Sequence, residues 1–226
     1  NPSSEPSGLP SSSSVPSKSS EPSGLPSSSL APSESSKPST LISGPQTQTA
    51  SYDTVLQAPK CNTGSSCDSG VLLNGRGTMD GGIDIEPNQP NTLNSCTDGN
   101  SGTYHDDESV DKIVVSQSSG SPYDLTEGDA VTITSTVWCY SSNTRVDFYY
   151  ASDASNPVWN QIGSRQQCGS NKEERIFSAS YTLPQGTIQA VRVNSMYGDD
   201  PVTAASCTSD GYSDTDDLVI TVRSAV

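Results

Sequence analysis

The chain has 226 residues, of which 30% are hydrophobic, and its 11 basic and 26 acidic side chains give a net charge of 11 − 26 = −15. Residues 51–226 alone carry 23 acids and 9 bases, a net charge of 9 − 23 = −14. Nucleic acids and anionic membrane surfaces require a cationic face on a protein partner, so neither is expected to bind this chain. No apolar stretch is long enough to insert into a membrane.

Residues 1–50 form a Ser/Pro-rich segment with 19 serines, 9 of the 16 prolines and no aromatic residue. The sequence SSEPSGLPSSS at residues 3–13 is repeated at residues 19–29. Frequent proline removes amide donors, and serine offers little apolar surface to offset the entropy of ordering. We therefore predict a disordered linker or stalk over residues 1–50 and one folded domain over residues 51–226. Composition leaves open whether this stalk carries O-glycans.

The repeat resembles the Ser/Pro linkers of secreted and cell-wall proteins in diatoms and their relatives. The chain starts at Asn1 without a methionine or a signal-peptide pattern. We therefore expect a mature or excised portion of a longer protein, with an upstream domain of the same polypeptide as one partner.

Six cysteines all lie in the predicted domain, at Cys61, Cys67, Cys96, Cys139, Cys168 and Cys207. An even count in an acidic, lysine-poor chain with such a stalk favours three disulfides and a secreted, extracellular or cell-wall location. Fifteen pairings are possible. We favour Cys61–Cys67 as a local loop, Cys139–Cys168 between adjacent strands and Cys96–Cys207 as a closure between two similar acidic loops. A zinc site is disfavoured, because no C-x2-4-C pair occurs.

Short runs rich in Val, Ile, Thr and Tyr recur between clusters of Gly, Pro, Asn and Asp, at residues 71–73, 112–116, 130–140, 145–151, 158–162, 175–183, 188–196 and 217–222. Several of these runs alternate with period 2. In residues 130–138, Val131, Ile133, Ser135 and Val137 fall on one face and three threonines and Trp138 on the other. No long stretch has a helical stripe. The pattern predicts an all-β domain of six to eight strands, an antiparallel β-sandwich of the jelly-roll or immunoglobulin-like type.

Acidic residues cluster after two cysteines, immediately before predicted strands. The first group is Asp98, Asp106, Asp107, Glu108 and Asp111, and the second is Asp210, Asp214, Asp216 and Asp217. Crowded carboxylates repel one another unless a cation neutralises them, and Ca2+ binds six to eight oxygen ligands. We predict these nine acids as ligands of structural calcium, with a solvated acidic surface as the alternative. Asp80, Asp84 and Glu86 form a weaker third group.

The sequence offers little sign of catalysis. His105 is the only histidine, and no G-x-S-x-G or other nucleophile motif accompanies it. We predict no catalytic residue, although two carboxylates at a suitable separation would be enough for a small glycosidase or lyase.

Tyrosine and tryptophan side chains are more numerous than a domain of this size needs for its core. They are Tyr104, Tyr123, Trp138, Tyr140, Tyr149, Tyr150, Trp159, Tyr181, Tyr197 and Tyr212. Sugar rings stack on such side chains. We take Tyr104, Tyr149, Tyr197 and Tyr212 as candidate ligand-binding residues, and we expect Trp138 and Trp159 to fill the core.

Six segments together resemble a β-sandwich accessory domain at the C-terminus of secreted hydrolases, including peptidases, from bacteria and some algae and oomycetes. They are residues 67–77, 86–115, 125–139, 146–163, 183–198 and 212–222. The resemblance covers most of residues 61–223 and implies an appended non-catalytic module. We therefore expect an extracellular accessory module, stabilised by calcium, that tethers an upstream protein to a polysaccharide or cell-surface glycan. The alternatives are a structural or protein-interaction domain of the cell surface and, less favoured, a small glycosidase or lyase.

Overall fold

Two packed β-sheets contain nearly all the regular structure in the computed structural model, which describes residues 44–75, 91–93, 96, 102–198, 205–207 and 211–225. None of these residues forms an α-helix, so the part described contains no helix able to cross a membrane. The predicted linker up to residue 43 lies outside the described residues, and so do Asp80, Asp84 and Glu86.

Eleven strands follow one another along the described chain. They are β1 (Thr47–Thr49), β2 (Ser51–Asp53), β3 (Ala58–Cys61), β4 (Ser66–Asp68), β5 (Ser109–Gln117), β6 (Ala130–Cys139), β7 (Arg145–Ala151), β8 (Asn160–Gln167), β9 (Glu173–Thr182), β10 (Ile188–Met196) and β11 (Asp214–Thr221). Since β1 lies within the segment assigned to the linker by composition, the folded chain starts before residue 51.

The β-sandwich predicted from the alternating pattern is confirmed, although both sheets are mixed. Sheet A has the order β1-β4-β5-β6-β9, and sheet B has the order β2-β3-β11-β10-β7-β8. Most neighbours are antiparallel, but β1 pairs with β4 and β3 pairs with β11 in parallel. These exceptions arise where the chain enters. There β1 belongs to sheet A and β2 to sheet B, with Ala50 buried between them.

The core lies between the inward faces of the long strands. On β6, Val131, Ile133, Ser135 and Val137 are all fully buried, as the alternation predicts. The three aliphatic side chains pack with apolar side chains from both sheets: Ile113, Val115, Val146, Phe148, Val191, Val193, Leu218 and Ile220. Removing this apolar surface from water is the main driving force for folding.

The predicted strand at residues 71–73 is wrong. The chain turns there, with the Leu72 amide donating to the Ser69 carbonyl at 3.3 Å and the Asn74 amide donating to the Val71 carbonyl at 3.2 Å. Leu73 is fully buried, whereas Val71 is exposed. The apolar run therefore reflects one anchored side chain in a turn, not a sheet.

Both ends of the described chain meet at one end of the sandwich, here called the entry pole. The Gln46 carbonyl accepts a hydrogen bond from Ser65, the Gly64 carbonyl accepts one from Leu125, and the Leu125 carbonyl accepts one from Arg223. At a rise of about 3.4 Å per residue, β10 carries the chain about 27 Å from this pole to the opposite one.

The three predicted disulfides are confirmed: Cys61–Cys67, Cys96–Cys207 and Cys139–Cys168. Cys61–Cys67 joins β3 of sheet B to β4 of sheet A near the entry pole. Cys139–Cys168 joins the end of β6 to the residue after β8 at the opposite pole, so it also links the two sheets. The prediction that this disulfide links adjacent strands is therefore wrong, because β6 and β8 belong to different sheets.

A charged pair lies on the outer face of sheet B. Arg192 of β10 faces Asp217 of β11, and both side chains are fully buried. The Arg192 Nε lies 2.7 Å from the Asp217 Oδ1, and the Nη2 lies 2.8 Å from the Oδ2. This two-point geometry suits a guanidinium and fixes the orientation of both groups.

Residues 91–93 and 205–207, here called the cover segments, lie over this pair. The Leu93 amide donates to the Asp217 Oδ2 at 2.6 Å. In return, Arg192 donates to the Ser206 carbonyl at 2.8 Å and to the Leu93 carbonyl at 3.0 Å. The Trp159 ring lies 4.2 Å from the Arg192 guanidinium, so this tryptophan packs outside sheet B rather than in the core between the sheets. The pair thereby attaches both cover segments to the sheet.

We predict that Arg192→Met lowers the free energy of unfolding by about 3–5 kcal/mol, because it leaves the Asp217 carboxylate buried without its partner. Urea denaturation measures the loss. Arg175→Met, which breaks the exposed pair with Glu173, is the matched control and is expected to cost about 1 kcal/mol or less. Equal losses in the two variants would contradict a central role for the buried pair.

Candidate functional site

A small cavity opens at the pole opposite the chain entry, where strands of both sheets end. Its described lining consists of Asp107, Tyr140, Tyr197 and Tyr212, and its volume is about 170 Å³. Tyr140 follows β6 and Tyr197 follows β10, whereas Tyr212 precedes β11 and Asp107 precedes β5. We call these four residues the tyrosine pocket.

The tyrosine rings stand roughly at right angles to one another. The Tyr140 and Tyr197 ring centroids are 5.6 Å apart with an interplanar angle of 74°, and those of Tyr197 and Tyr212 are 6.4 Å apart at 83°. Tyr197 is 46% exposed and Tyr212 is 44% exposed. The rings therefore pack in a T-shaped, edge-to-face manner, and Tyr197 and Tyr212 still present part of their surface to solvent.

Lys172 borders this pocket. Its ammonium lies 5.4 Å from the centroid of the Tyr140 ring and 3.5 Å from an Asp106 carboxylate oxygen. Lys172 and His105 both have positive φ, at 49° and 60°. Such backbone is uncommon outside glycine and often occurs near functional sites. Two of the three described non-glycine residues with positive φ thus lie in the loops around the pocket.

A stack of three rings holds the loop that supplies Asp107. His105 stacks on Tyr104, with centroids 3.9 Å apart, and on Trp138, with centroids 4.6 Å apart. Within the loop, the Asp106 and Asp107 amides donate to the Thr103 carbonyl, and the Thr103 amide donates to the Asp107 Oδ2 at 2.9 Å. Trp138 was expected in the core. It is half-buried beneath this loop instead, because it lies on the outer face of β6.

The His105 Nε2 lies 2.9 Å from the Asp111 Oδ2, and the Ser109 hydroxyl donates to the Asp111 Oδ1 at 2.6 Å. Burial raises the pKa of Asp111, against these two hydrogen bonds, which lower it. The serine hydroxyl is bonded to the carboxylate and not to the imidazole. This is not the order of a nucleophilic triad, in which the histidine contacts the serine.

The first group of predicted calcium ligands is spread over different surroundings. Asp106 is exposed beside Lys172, and Asp107 lines the tyrosine pocket. Glu108 is fully buried and accepts a hydrogen bond from the Thr144 hydroxyl at 3.0 Å, and Asp111 contacts His105. Asp98 lies outside the described residues.

The second group lies on β11. Asp214 is buried and accepts a hydrogen bond from the Val110 amide at 2.6 Å, and Asp216 is buried two residues further along. Asp217 has the Arg192 guanidinium as its partner, where the sequence suggested a calcium ion. Asp210 lies outside the described residues. No three His, Cys, Asp or Glu side chains of the described chain are grouped so that they could hold a metal ion. Calcium binding stays a prediction.

The four candidate ligand-binding tyrosines have different positions. Tyr197 and Tyr212 lie together in the pocket, and Tyr104 belongs to the neighbouring ring stack. Tyr149 is 3% exposed and is thus too buried to stack on a ligand. The site also contains Tyr140 and Asp107, with Lys172 at its border. None of these three residues was predicted to bind a carbohydrate. For Tyr140 the alternation of β6 is a signal, since it lies on the same outward face as Trp138.

We predict that Asp217→Asn lowers the melting temperature equally in calcium chloride and in EDTA, because the affected partner is Arg192. Differential scanning calorimetry in both buffers measures the two shifts, with the unsubstituted chain as the control for any calcium bound elsewhere. A loss seen only in calcium would make Asp217 a metal ligand.

No protein-family model and no curated protein sequence matches the chain. Among solved structures, the crystal structure of the C-terminal domain of wzt is similar, with 8% sequence identity and a TM-score of 0.36 over 53% of this chain and 75% of that chain. At this TM-score the similarity carries no argument. The resemblance to C-terminal modules of secreted hydrolases therefore stays a prediction.

Proposed function

We propose that the protein is an extracellular, non-catalytic binding domain that tethers the polypeptide carrying it to a polysaccharide or cell-surface glycan through the tyrosine pocket. The observation that carries this proposal is the grouping of three partly exposed tyrosine rings with one carboxylate around a cavity of about 170 Å³. Ligand sites typically combine aromatic surface with a few placed polar groups, and this pocket has that composition.

The chemistry of the lining suits a sugar. A pyranose ring presents C–H groups on its faces, which pack on aromatic rings, and hydroxyls on its rim, which donate to a carboxylate. Tyr197 and Tyr212 offer the exposed ring surface, and Asp107 offers the acceptor. Drug-sized ligands occupy pockets of about 300–1,000 Å³. The smaller cavity here suits one residue of a chain, with the remainder outside.

The position of the pocket suits a tether. The chain enters and leaves the described domain at the entry pole, and the pocket lies at the other end of β10, about 27 Å away at the usual strand rise. A chain attached at one pole leaves the other accessible to a large insoluble polymer. Three disulfides support an oxidising, extracellular location, where such polymers occur.

We predict that Tyr197→Ala and Tyr212→Ala each weaken glycan binding about tenfold, because each removes stacking surface worth roughly 1–2 kcal/mol. The folded state should remain, since both side chains are nearly half exposed. Polysaccharide pull-down and a glycan array identify the ligand, and titration of the unsubstituted chain and the variants with that ligand measures the loss.

Tyr123→Ala is the matched control, because Tyr123 is an exposed tyrosine outside the pocket. Binding that weakens equally in all three variants would place the glycan elsewhere. No binding to any glycan would contradict the proposal and favour a structural or protein-interaction domain. Turnover of labelled polysaccharide would establish a glycosidase or lyase.

A further inference from the structure

The lining of the tyrosine pocket is more specific than a general sugar site requires. Three aromatic rings and one carboxylate line a space of about 170 Å³, and the Tyr140–Tyr197 and Tyr197–Tyr212 pairs are close to perpendicular, at 74° and 83°. The ring surfaces that line this space therefore lie in different planes, an arrangement that suits one compact group.

We propose that this pocket recognises an organic ammonium group carried by a glycan. The face of a tyrosine ring is the negative end of its quadrupole and attracts a cation within about 6 Å of the ring centroid. The Asp107 carboxylate adds a full negative charge at the wall, held in place by the Thr103 amide. The proposal rests on the same pocket as the proposed function and narrows its ligand.

The molecule already contains one contact of this kind. The Lys172 ammonium lies 5.4 Å from the Tyr140 ring centroid, at the border of the pocket, and is 58% exposed. Its position shows that the Tyr140 face accommodates an ammonium group. An external ammonium inside the pocket would be repelled by the Lys172 charge, so Lys172 opposes binding of a cationic ligand more than binding of a neutral one.

The net charge of the domain and the size of the cavity both favour a small cationic group over an anionic or larger ligand. Residues 51–226 have a net charge of 9 − 23 = −14, which raises the local concentration of cations and disfavours uronic or sulfated sugars. The cavity is below the usual range for drug-sized ligands, about 300–1,000 Å³, but a free or methylated ammonium with its first carbons is compact. Two sources share this chemistry: the amine of a deacetylated amino sugar and a choline substituent on a glycan.

NMR chemical-shift titration of the full chain with choline chloride tests the proposal against 3,3-dimethyl-1-butanol, its uncharged isostere. We expect choline to bind at least about tenfold more tightly, because the isostere makes the same apolar contacts without the cation–ring attraction. Equal binding of the two compounds would overturn the proposal. Oligomers of glucosamine and of N-acetylglucosamine, compared with phosphocholine, then distinguish the two sources of the ammonium.

Two substitutions are expected to change the affinity for choline in opposite directions. Asp107→Asn keeps the shape of the wall and removes its charge, and it should weaken choline binding about tenfold. Lys172→Met keeps a long side chain over Tyr140 and removes the competing charge, and it should strengthen choline binding several-fold. Asp153→Asn, at an exposed carboxylate beside the separate cavity near Gly186 and Ile188, is the control and should leave binding unchanged. Unchanged or weaker choline binding in Lys172→Met would count against the proposal.

The outcomes separate this inference from the proposed function. If choline binds as expected but no polysaccharide does, the ammonium site stands and the glycan tether fails. If neutral oligosaccharides bind in the pocket and Asp107→Asn does not change their affinity, the tether stands and the ammonium preference fails.

Discussion

The buried pair of Arg192 and Asp217 is the constraint on which the arrangement of this domain depends. Arginine on the middle strands of a sheet normally requires an exposed face, yet here β10 and β11 are buried on both faces along nearly their whole length. The charge is tolerated because the guanidinium donates to Asp217 and to carbonyls of both cover segments, so that little of its hydrogen-bonding capacity is unused. Cys207 of the second cover segment is also disulfide-bonded to Cys96, three residues after the first cover segment in sequence. A single side chain thus attaches two distant parts of the chain to one site on β10.

The position of the tyrosine pocket follows from that constraint. Tyr197 directly follows β10 and Tyr212 precedes β11, so these rings extend from the two strands that the buried pair joins. Tyr140 and Asp107 extend from strands of sheet A, and Cys139–Cys168 links the two sheets at this pole. The pocket is therefore built from four strand ends whose relative positions the two sheets and this disulfide constrain. Such preorganisation lowers the entropy lost on binding.

Local pattern predicted the long strands well, because β6 buries every second side chain and the other long strands are rich in side chains that favour β structure. The ranges 145–151 and 188–196 coincide with β7 and β10. Strands β1 to β4 have only three or four residues, too few to show a period, and their parallel pairings depend on segments far away in the chain. The same limit applies to the site. Nothing next to Asp217 in sequence indicates Arg192, its partner across the sheet, and nothing next to Tyr197 indicates Tyr140.

Several of the acidic residues have basic partners in the folded domain, so the net charge of the chain does not indicate bound metal ions by itself. Asp217 and Asp147 are buried against the arginines Arg192 and Arg165, and Asp111 contacts His105, so these carboxylates are part of the framework. Asp107 differs from them, because it lines an accessible cavity among tyrosine rings. The remaining net charge acts at longer range, since unbalanced acids produce a negative potential that extends about one Debye length, roughly 8–10 Å in physiological salt. An aromatic pocket within such a potential favours cations in two ways. The field of the whole domain raises their local concentration, and the rings and Asp107 supply the short-range attraction for the organic ammonium group that we propose as the ligand.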